Sequence, residues 1–549
     1  MAEQKDPVPA GEIELAPSPS GPTPQQLAQD DTGGKKDKAA EFLAKNGLGQ
    51  RIVITAADSA RVLRRIDTVI LPLMLVVYFL QGLDKATLAY ASVFGLIEDT
   101  GLHGDQYGWL GSIVYLAQLV MQPPLAWLLV RLPIGKFTAA MVLSWGISLS
   151  CMAASHNFGG LLATRFLLGV FEASVAPSFV AITQMWWRRR EQTVRTSYWY
   201  AMNGITNMFG SLITYGLGHI SSTLHAYQII FIFFGVITVV FSFVMFYFMP
   251  DSPIEAKFLS EEDKIIAVER LRMNQMGLIS RKWRNDHLKE ALLDPKSWFW
   301  FALLFSISIP SGGISTFGPL IIKTFGYDQF QTILFNIPFG FVQLVATVGG
   351  AFLAQRIKMK GPVIALLCLP PIAGCVMLIV LPRDAGHRAS LLAGYYLISV
   401  YPGITPLIYS WSSQNTAGDT KRKSTNAILL VGQSIGNVIG PLLYTQTEAP
   451  GYARGLRSNL ALYVAIIVLV GLTTLYLRLL NRRHAARRVA MGKSAVIIDT
   501  SLDSEKEAAA ALEAENKTAG VEDAPTVQTG DRAFEDLTDL ENEEFVFVL

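Results

Sequence analysis

Residues 78–92 read YFLQGLDKATLAYAS, placing an aspartate and a lysine side by side inside an apolar run. From Thr68 to Leu83 no residue carries a formal charge, and after Lys85 the next charge is Glu98. A helix needs about 20 apolar residues to cross a bilayer core of roughly 30 Å, so this stretch reads as one spanning helix with charge near its middle. Charge at the bilayer centre costs roughly 2.5–3.5 kcal/mol on insertion scales, so Asp84 and Lys85 are expected to face a protein interior or a water-filled cavity. Their partners must then come from other spans.

Composition agrees. Of 549 residues 51% are hydrophobic and 16% charged, with a mean hydropathy of +0.35, which points to a multi-span membrane protein and away from a soluble enzyme with one anchor. Residues 1–60 are rich in Pro, Ala, Gly, Gln and Lys and lack the apolar core of a secretory signal, so they read as a disordered cytoplasmic tail. Residues 485–549 begin basic and turn acidic, with fourteen Asp or Glu against three Lys or Arg in 501–549, and read as a solvated cytoplasmic tail. Cys151, Cys368 and Cys375 fall in apolar runs and are expected to be small buried hydrophobes rather than disulfides or metal ligands. No cofactor, metal or nucleic-acid partner is implied, and a monomer is expected.

Hydropathy predicts an all-α membrane protein of twelve transmembrane helices in two six-helix bundles. The spans lie near 69–94, 107–130, 137–155, 159–184, 197–218 and 227–249, then 297–318, 330–353, 361–381, 389–410, 425–445 and 459–480. The bundles occupy 61–250 and 297–484, joined by a cytoplasmic loop over 251–296 in which Ser260 and Asp263 are spaced to cap a surface helix. Loops following even-numbered spans carry twelve Lys or Arg, from Arg131 and Lys136 to Lys421, Arg422 and Lys423, whereas the opposite loops carry five. Basic loops stay cytoplasmic, so both termini are expected there. Phe94-Gly95, followed by Asp105-Gln106-Tyr107, is echoed by Phe317-Gly318 and Asp328-Gln329-Phe330 at the same spacing, as a duplicated bundle would give. Pro310 with Ser311, Gly312 and Gly313 predicts a break in the seventh span. Trp186 and Trp187 read as an interfacial belt, and Arg188 to Arg190 as topology determinants.

The fourth span supplies Arg165 and Glu172, seven residues and so two helical turns apart on one face. The fifth adds Tyr200, Asn203 and Asn207, and the eleventh Asn426, Gln433 and Asn437. Two carboxylates, two cations and several amides around one cavity would suit a polar anion with titratable groups beside it. Blander roles are open for each: Asp84 paired with Arg165 as a structural bridge, Lys85 snorkelling, and amides bridging helices.

The chain resembles the major facilitator superfamily and, within it, the anion:cation symporter branch and its fungal allantoate permease-like family. The resemblance covers residues 65–480 and is carried jointly by LDK in the first span, RFLLGVFEASVAPSF and MWWRRREQTVRTSYWYAMNG across the fourth and fifth, MPDSPIEAKFL, HLKEALLDPKSW, and SWSSQNTAGDTKRK before the eleventh. It implies that Asp84 and Glu172 are proton-coupling carboxylates, that Lys85 and Arg165 lie near the substrate's acid group, and that Asn203 and Asn437 contact substrate. Two departures stand out. Lys85 occupies a position where Arg is more usual, and an ammonium lacks the bidentate fork of a guanidinium. The loop after the second span keeps Gly135 and Lys136 without the family's acidic residue.

The expected function is proton-coupled symport of a small organic anion, a carboxylate, vitamin or ureide such as allantoate, nicotinate or pantothenate, by alternating access at the plasma membrane, with the proton gradient as energy source. The alternatives are efflux of a secondary metabolite or drug-like compound, disfavoured by the lack of proline in the fifth span, and a non-transporting nutrient sensor. The seven histidines fall mainly in loops and span ends and form no catalytic constellation, so no enzyme is expected.

Overall fold

Each of the twelve runs folds as helix, because a backbone in lipid has to satisfy its N–H and C=O groups internally. The computed structural model describes residues 56–220, 222–272, 284–445, 448–498, 526–527 and 537–549. Most of the expected N-terminal tail lies outside the described residues; helix already begins at Ala56.

The first half contains α1 (Ala56–Val93), a one-turn α2 (Leu96–Asp99), α3 (Gln106–Arg131), α4 (Ile134–Met152), α5 (Phe158–Glu172), α6 (Val175–Trp186), α7 (Arg189–Leu217) and α8 (Ala226–Phe248). Two connecting helices follow, α9 (Glu261–Arg272) and α10 (Asn285–Leu293). The second half contains α11 (Pro295–Lys323), α12 (Gln329–Leu334), α13 (Asn336–Ile357), α14 (Gly361–Val380), α15 (Arg388–Ile398), α16 (Ile404–Gln414), α17 (Asp419–Leu442) and α18 (Ala453–Ala490). The pairs α5–α6, α12–α13 and α15–α16 each make one passage with a local break, giving six passages per half. A two-residue parallel bridge, Ile497–Ile498 with Thr526–Val527, lies outside the bundles.

Among the described residues nine passages are long and apolar enough to cross a membrane. The other three, α3, α7 and α17, pack against the opposite half, α3 on α17 and α7 on α13. Helices flanked by protein rather than lipid need no apolar surface all round, which explains their Gly, Asn and Gln content.

The seventh span is not broken. Helix α11 runs through Pro310, and its glycines serve packing instead: a Cβ on Gly312 would meet Asn437 O at 2.9 Å. From the other side, a Cβ on Gly436 would sit 2.6 Å from Phe305 O and one on Gly440 2.4 Å from Ile309 O. Four-residue spacing of these glycines lets the two backbones touch, the small-residue interface of membrane helices.

The sequence echo turns out to be a reciprocal contact. Phe94 meets Phe330 edge-on at 5.7 Å between ring centroids, and Tyr107 meets Phe317 at 5.2 Å. Each half thus offers its Phe-Gly phenylalanine to the other half's ring at the start of the next passage. These contacts close the far end of the molecule, the end opposite the chain termini, together with the Tyr107 Oη bond to Thr316 O at 2.9 Å and the Ser112 Oγ bond to Val438 O at 2.8 Å.

Charges hold the terminal end. In the first half Asp67 of α1 accepts from Arg195 (2.7 Å) and from Trp187 Nε1 (2.7 Å), while Arg270 of α9 pairs with Glu191 at 2.7 Å. Trp186 and Trp187 are therefore buried structural residues, Trp186 stacked on Phe258, and not an interfacial belt. Asp263 N bonds Ser260 Oγ at 3.2 Å as the capping pattern predicts, but the Asp263 carboxylate turns to Arg61 and Arg65. The acid missing from the loop after the second span comes from the end of the sixth passage: Asp251 accepts from Lys136 N at 3.1 Å and pairs with its ammonium at 3.7 Å. Cys368 and Cys375 are buried as expected, whereas Cys151 is exposed on the outside of α4.

The acidic tail departs furthest from expectation. Residues 537–549 are not solvated but bound along the terminal end of the second half, where Asp539, Phe545 and Phe547 are buried.

Candidate substrate and proton site

Asp84 and Lys85 lie on α1 and Arg165 and Glu172 on α5, and the fold brings the four into electrostatic reach of one another. Neighbouring residues on a helix point about 100° apart, so the α1 pair separates. Asp84 turns inward, is fully buried, and accepts a hydrogen bond from Trp145 Nε1 of α4; its Oδ1 has no hydrogen-bond partner. Lys85 turns the other way, with Nζ 3.0 Å from Glu172 Oε1. The lysine side chain is 31% exposed and the glutamate 1%, so the ammonium links a buried carboxylate to open space. The Tyr115 ring lies 6.0 Å from that ammonium, within cation–π range.

Arg165 does not bridge Asp84. Its Nε donates to Leu110 O at 3.2 Å, and Nη1 is buried without a hydrogen-bond partner. The approach is permitted by Gly169, one turn on, where a Cβ would sit 2.5 Å from Val114 O. A side chain there would push α5 off α3 and withdraw the guanidinium from Leu110.

With all four ionised the group is formally neutral. Glu172 Oε2 has no hydrogen-bond partner, so a proton can be held there without breaking an existing bond. A proton on Glu172 removes the charge that engages Lys85 and leaves a net positive site, which is the condition for accepting an anion.

Beside the charges stands a wall of rings. Tyr78 lies 5.0 Å from Trp199, 5.5 Å from Tyr200 and 6.3 Å from Phe179, and Tyr200 reaches Tyr409 of the second half at 6.3 Å. Tyr409 Oη donates to Gln433 Oε1, and Tyr200 is within electrostatic reach of Lys85. The expected amides separate. Asn203 Nδ2 bonds Tyr200 O of its own helix at 3.1 Å, whereas Asn207 Nδ2 crosses to Gln343 Oε1 at 2.7 Å and ties the halves together. Asn437 is buried against Gly312 with its Oδ1 unbonded. The structure therefore gathers Asp84, Lys85, Arg165 and Glu172, sets Tyr200 and Gln433 beside them, and gives Asn207 a bridging bond. Trp145, Tyr115, Tyr78, Trp199, Tyr409 and Gln343 escape sequence reading, because rings and single amides in apolar spans look like ordinary core.

Comparison with known proteins fits this architecture. The model of the Major Facilitator Superfamily matches residues 74–441. An uncharacterized transporter of Schizosaccharomyces pombe is 36% identical over 493 residues, 89% of each chain. The thiamine pathway transporter of Saccharomyces cerevisiae is 32% identical, covering 82% of this chain and 88% of its own, and the allantoate permease of the same yeast is 30% identical, covering 93% and 91%. Among solved structures, a bacterial homologue of the human lysosomal transporter Spinster, in an inward-facing and occupied conformation, superposes with a TM-score of 0.54 at 15% identity, over 74% of this chain and 96% of that one. The chain is a membrane transporter of the major facilitator superfamily, akin to the fungal allantoate permease-like transporters.

Proposed function

We propose that this transporter carries a small organic anion together with protons, by alternating access, and that Glu172 is the principal proton carrier. The observation that carries the reading is the Lys85–Glu172 contact at 3.0 Å. Deprotonated Glu172 occupies the cation that a substrate carboxylate needs; protonated Glu172 releases it. Proton and anion then load together, because each removes the obstacle to the other. Asp84 is a second candidate carrier, held by Trp145. Arg165 adds positive charge deeper in the site, and Tyr200, Gln433, Asn203 and Asn437 shape the remainder of the pocket.

The substrate class, a carboxylate, vitamin or ureide such as allantoate, nicotinate or pantothenate, is supported by likeness to the allantoate permease and by the cation beside a ring-lined wall. The basic loops favour placing both termini in the cytoplasm, with the far end facing outward at the plasma membrane and the chain acting as a monomer. In that orientation the aromatic contacts at the far end correspond to an inward-facing state. The test is accumulation of labelled allantoate, nicotinate and pantothenate by cells expressing the protein at outside pH 5 and pH 7.5, with Glu172→Gln alongside. Acid-stimulated uptake that the variant loses is the expected result; pH-driven accumulation intact in Glu172→Gln would overturn the assignment.

A further inference from the structure

The C-terminal segment is held by side chains from four helices, α11, α16, α17 and α18. Asp539, fully buried, lies between two buried lysines: Lys296 of α11 and Lys421 of α17, the latter 3.0 Å from Oδ1. Its Oδ1 also accepts from Ala417 N at 3.1 Å. Eight and nine residues on, two asparagines each read one residue by both backbone groups. Asn415, which caps the end of α16, accepts from Val548 N at 2.8 Å and donates to Val548 O at 2.9 Å; Asn481 of α18 does the same to Phe547, at 2.8 and 2.9 Å. Trp411 Nε1 adds a bond to Val548 O at 2.8 Å, and Lys360 N one to Leu549 O at 2.8 Å. Backbone readout by amides fixes register, while the buried aspartate and phenylalanines fix which sequence fits.

These contacts span helices with different neighbours. Helices α16 and α17 pack on α11 of their own half and also touch the first half, on α7 and α3, whereas α18 packs on α11 and α14. The segment ties the terminal ends of the first pair to the second.

We propose that residues 538–549 form a detachable ligand of this groove, and that their docking holds the terminal ends of α16 and α17 away from the first half, favouring the conformation closed at the far end. Released, those ends are free to swing inward and the far end opens more often. This rests on alternating access as read above, but docking itself does not.

The test uses the full chain in lipid nanodiscs, with Cys151→Ser and spin labels at Thr223→Cys and Ala389→Cys, exposed positions at the far end of the two halves. Asp539→Lys and, separately, Asn481→Leu are compared with the parent by hydrogen exchange and by label-to-label distance. Release should speed amide exchange at Phe547 and Val548 by about tenfold or more, since both amides then lose their acceptors. The population at the longer distance should rise about twofold or more, and a synthetic peptide of residues 537–549 should reverse the shift in Asn481→Leu less completely than in Asp539→Lys, whose groove is intact. Unchanged exchange in both variants, or variants recovered only as aggregate, would show that the segment is fixed core and overturn the proposal. Faster exchange with unchanged distances would overturn the clamp. A parent chain with one far-end distance at every pH from 5 to 8 would count against alternating access itself, and the proposal would fall with it.

Discussion

Lys85 Nζ stands 3.0 Å from Glu172 Oε1, joining a partly exposed cation to a fully buried carboxylate. The adjacent Asp84 takes no part in that contact, being held on a different face of α1 by Trp145. Two neighbouring charges on one helix thus serve two separate environments, and each can be altered alone.

Glu172→Gln should mimic the protonated carrier. Acid-driven accumulation should fall on the order of tenfold, the scale of a typical coupling energy. Exchange of labelled for unlabelled substrate across the membrane should persist and become insensitive to pH. Radiotracer uptake and exchange in the same vesicles separate the two effects.

Lys85→Ala leaves the buried Glu172 without its cation. Because Lys85 is partly solvated, the expected cost is about 2 kcal/mol, below that of breaking a fully buried pair. Adding Glu172→Gln should restore most of that stability without restoring uptake. A double-mutant cycle in thermal unfolding, run beside transport, reads both.

Trp145→Phe keeps an aromatic ring and removes the indole donor, leaving both Asp84 oxygens without a hydrogen bond. The expected loss is about 1–3 kcal/mol, that of an unsatisfied buried acceptor. Asp84→Asn in the same background should be better tolerated than Trp145→Phe alone, since an amide buried without a donor costs less than a carboxylate. Thermal midpoints of the three variants check the order.

Gly340→Ala targets the crossing of α13 over α7, where the new Cβ would meet Gly204 O at 2.4 Å. Backbone cannot yield as a side chain tip would, so separation of the halves there is expected at a cost of about 1–3 kcal/mol. The Asn207–Gln343 bond spans the same crossing and should weaken with it. Lowered thermal stability with a wider far-end distance would be the signature.

The docked tail has a defined pH response. Burial alone would raise the Asp539 carboxyl, but Lys296 and Lys421 outweigh it and hold the group below the usual aspartate range. A group depressed on docking contributes stability that is complete above its undocked value of about 3.9 and is lost only as pH falls through the lower docked value. Docking should therefore be constant from pH 8 to 5 as far as Asp539 is concerned. Asp294 and Glu290 face the same lysines, His287 faces Glu541, and His484, Arg487 and Arg488 line the tail from α18. Loss of tail protection between pH 7 and 5 that survives Asp539→Asn would belong to His484, whose burial against the tail lowers its imidazole below the ordinary range. Hydrogen exchange across that range decides.

Hydropathy carried most of the architecture, because lipid forces every passage into helix and leaves only its ends to chemistry. The charged residues of the site were legible for the same reason: Asp84, Lys85, Arg165 and Glu172 are conspicuous in apolar runs. Their partners were not. Pairing depends on rotation about each helix and on close approaches such as Gly169 on α3, which a single sequence does not encode locally. Pro310 misled because a break and a tight helix crossing use the same small residues. The tail misled because its later composition is polar and acidic, while docking depends on one aspartate, two asparagines elsewhere in the chain and a short aromatic end.

The reciprocal pairs Phe94–Phe330 and Tyr107–Phe317 also bear on how ligands will be found. A compound arriving from the sealed side meets only the fraction of molecules in which both contacts have parted, and its apparent dissociation constant is the intrinsic one divided by that fraction. If about one molecule in a hundred is open, every half-saturation constant measured from that side exceeds the intrinsic value about a hundredfold. That factor is set by the protein and shared by all compounds, so a panel ranked by uptake and by binding to the purified chain should keep its order while differing by one common multiplier.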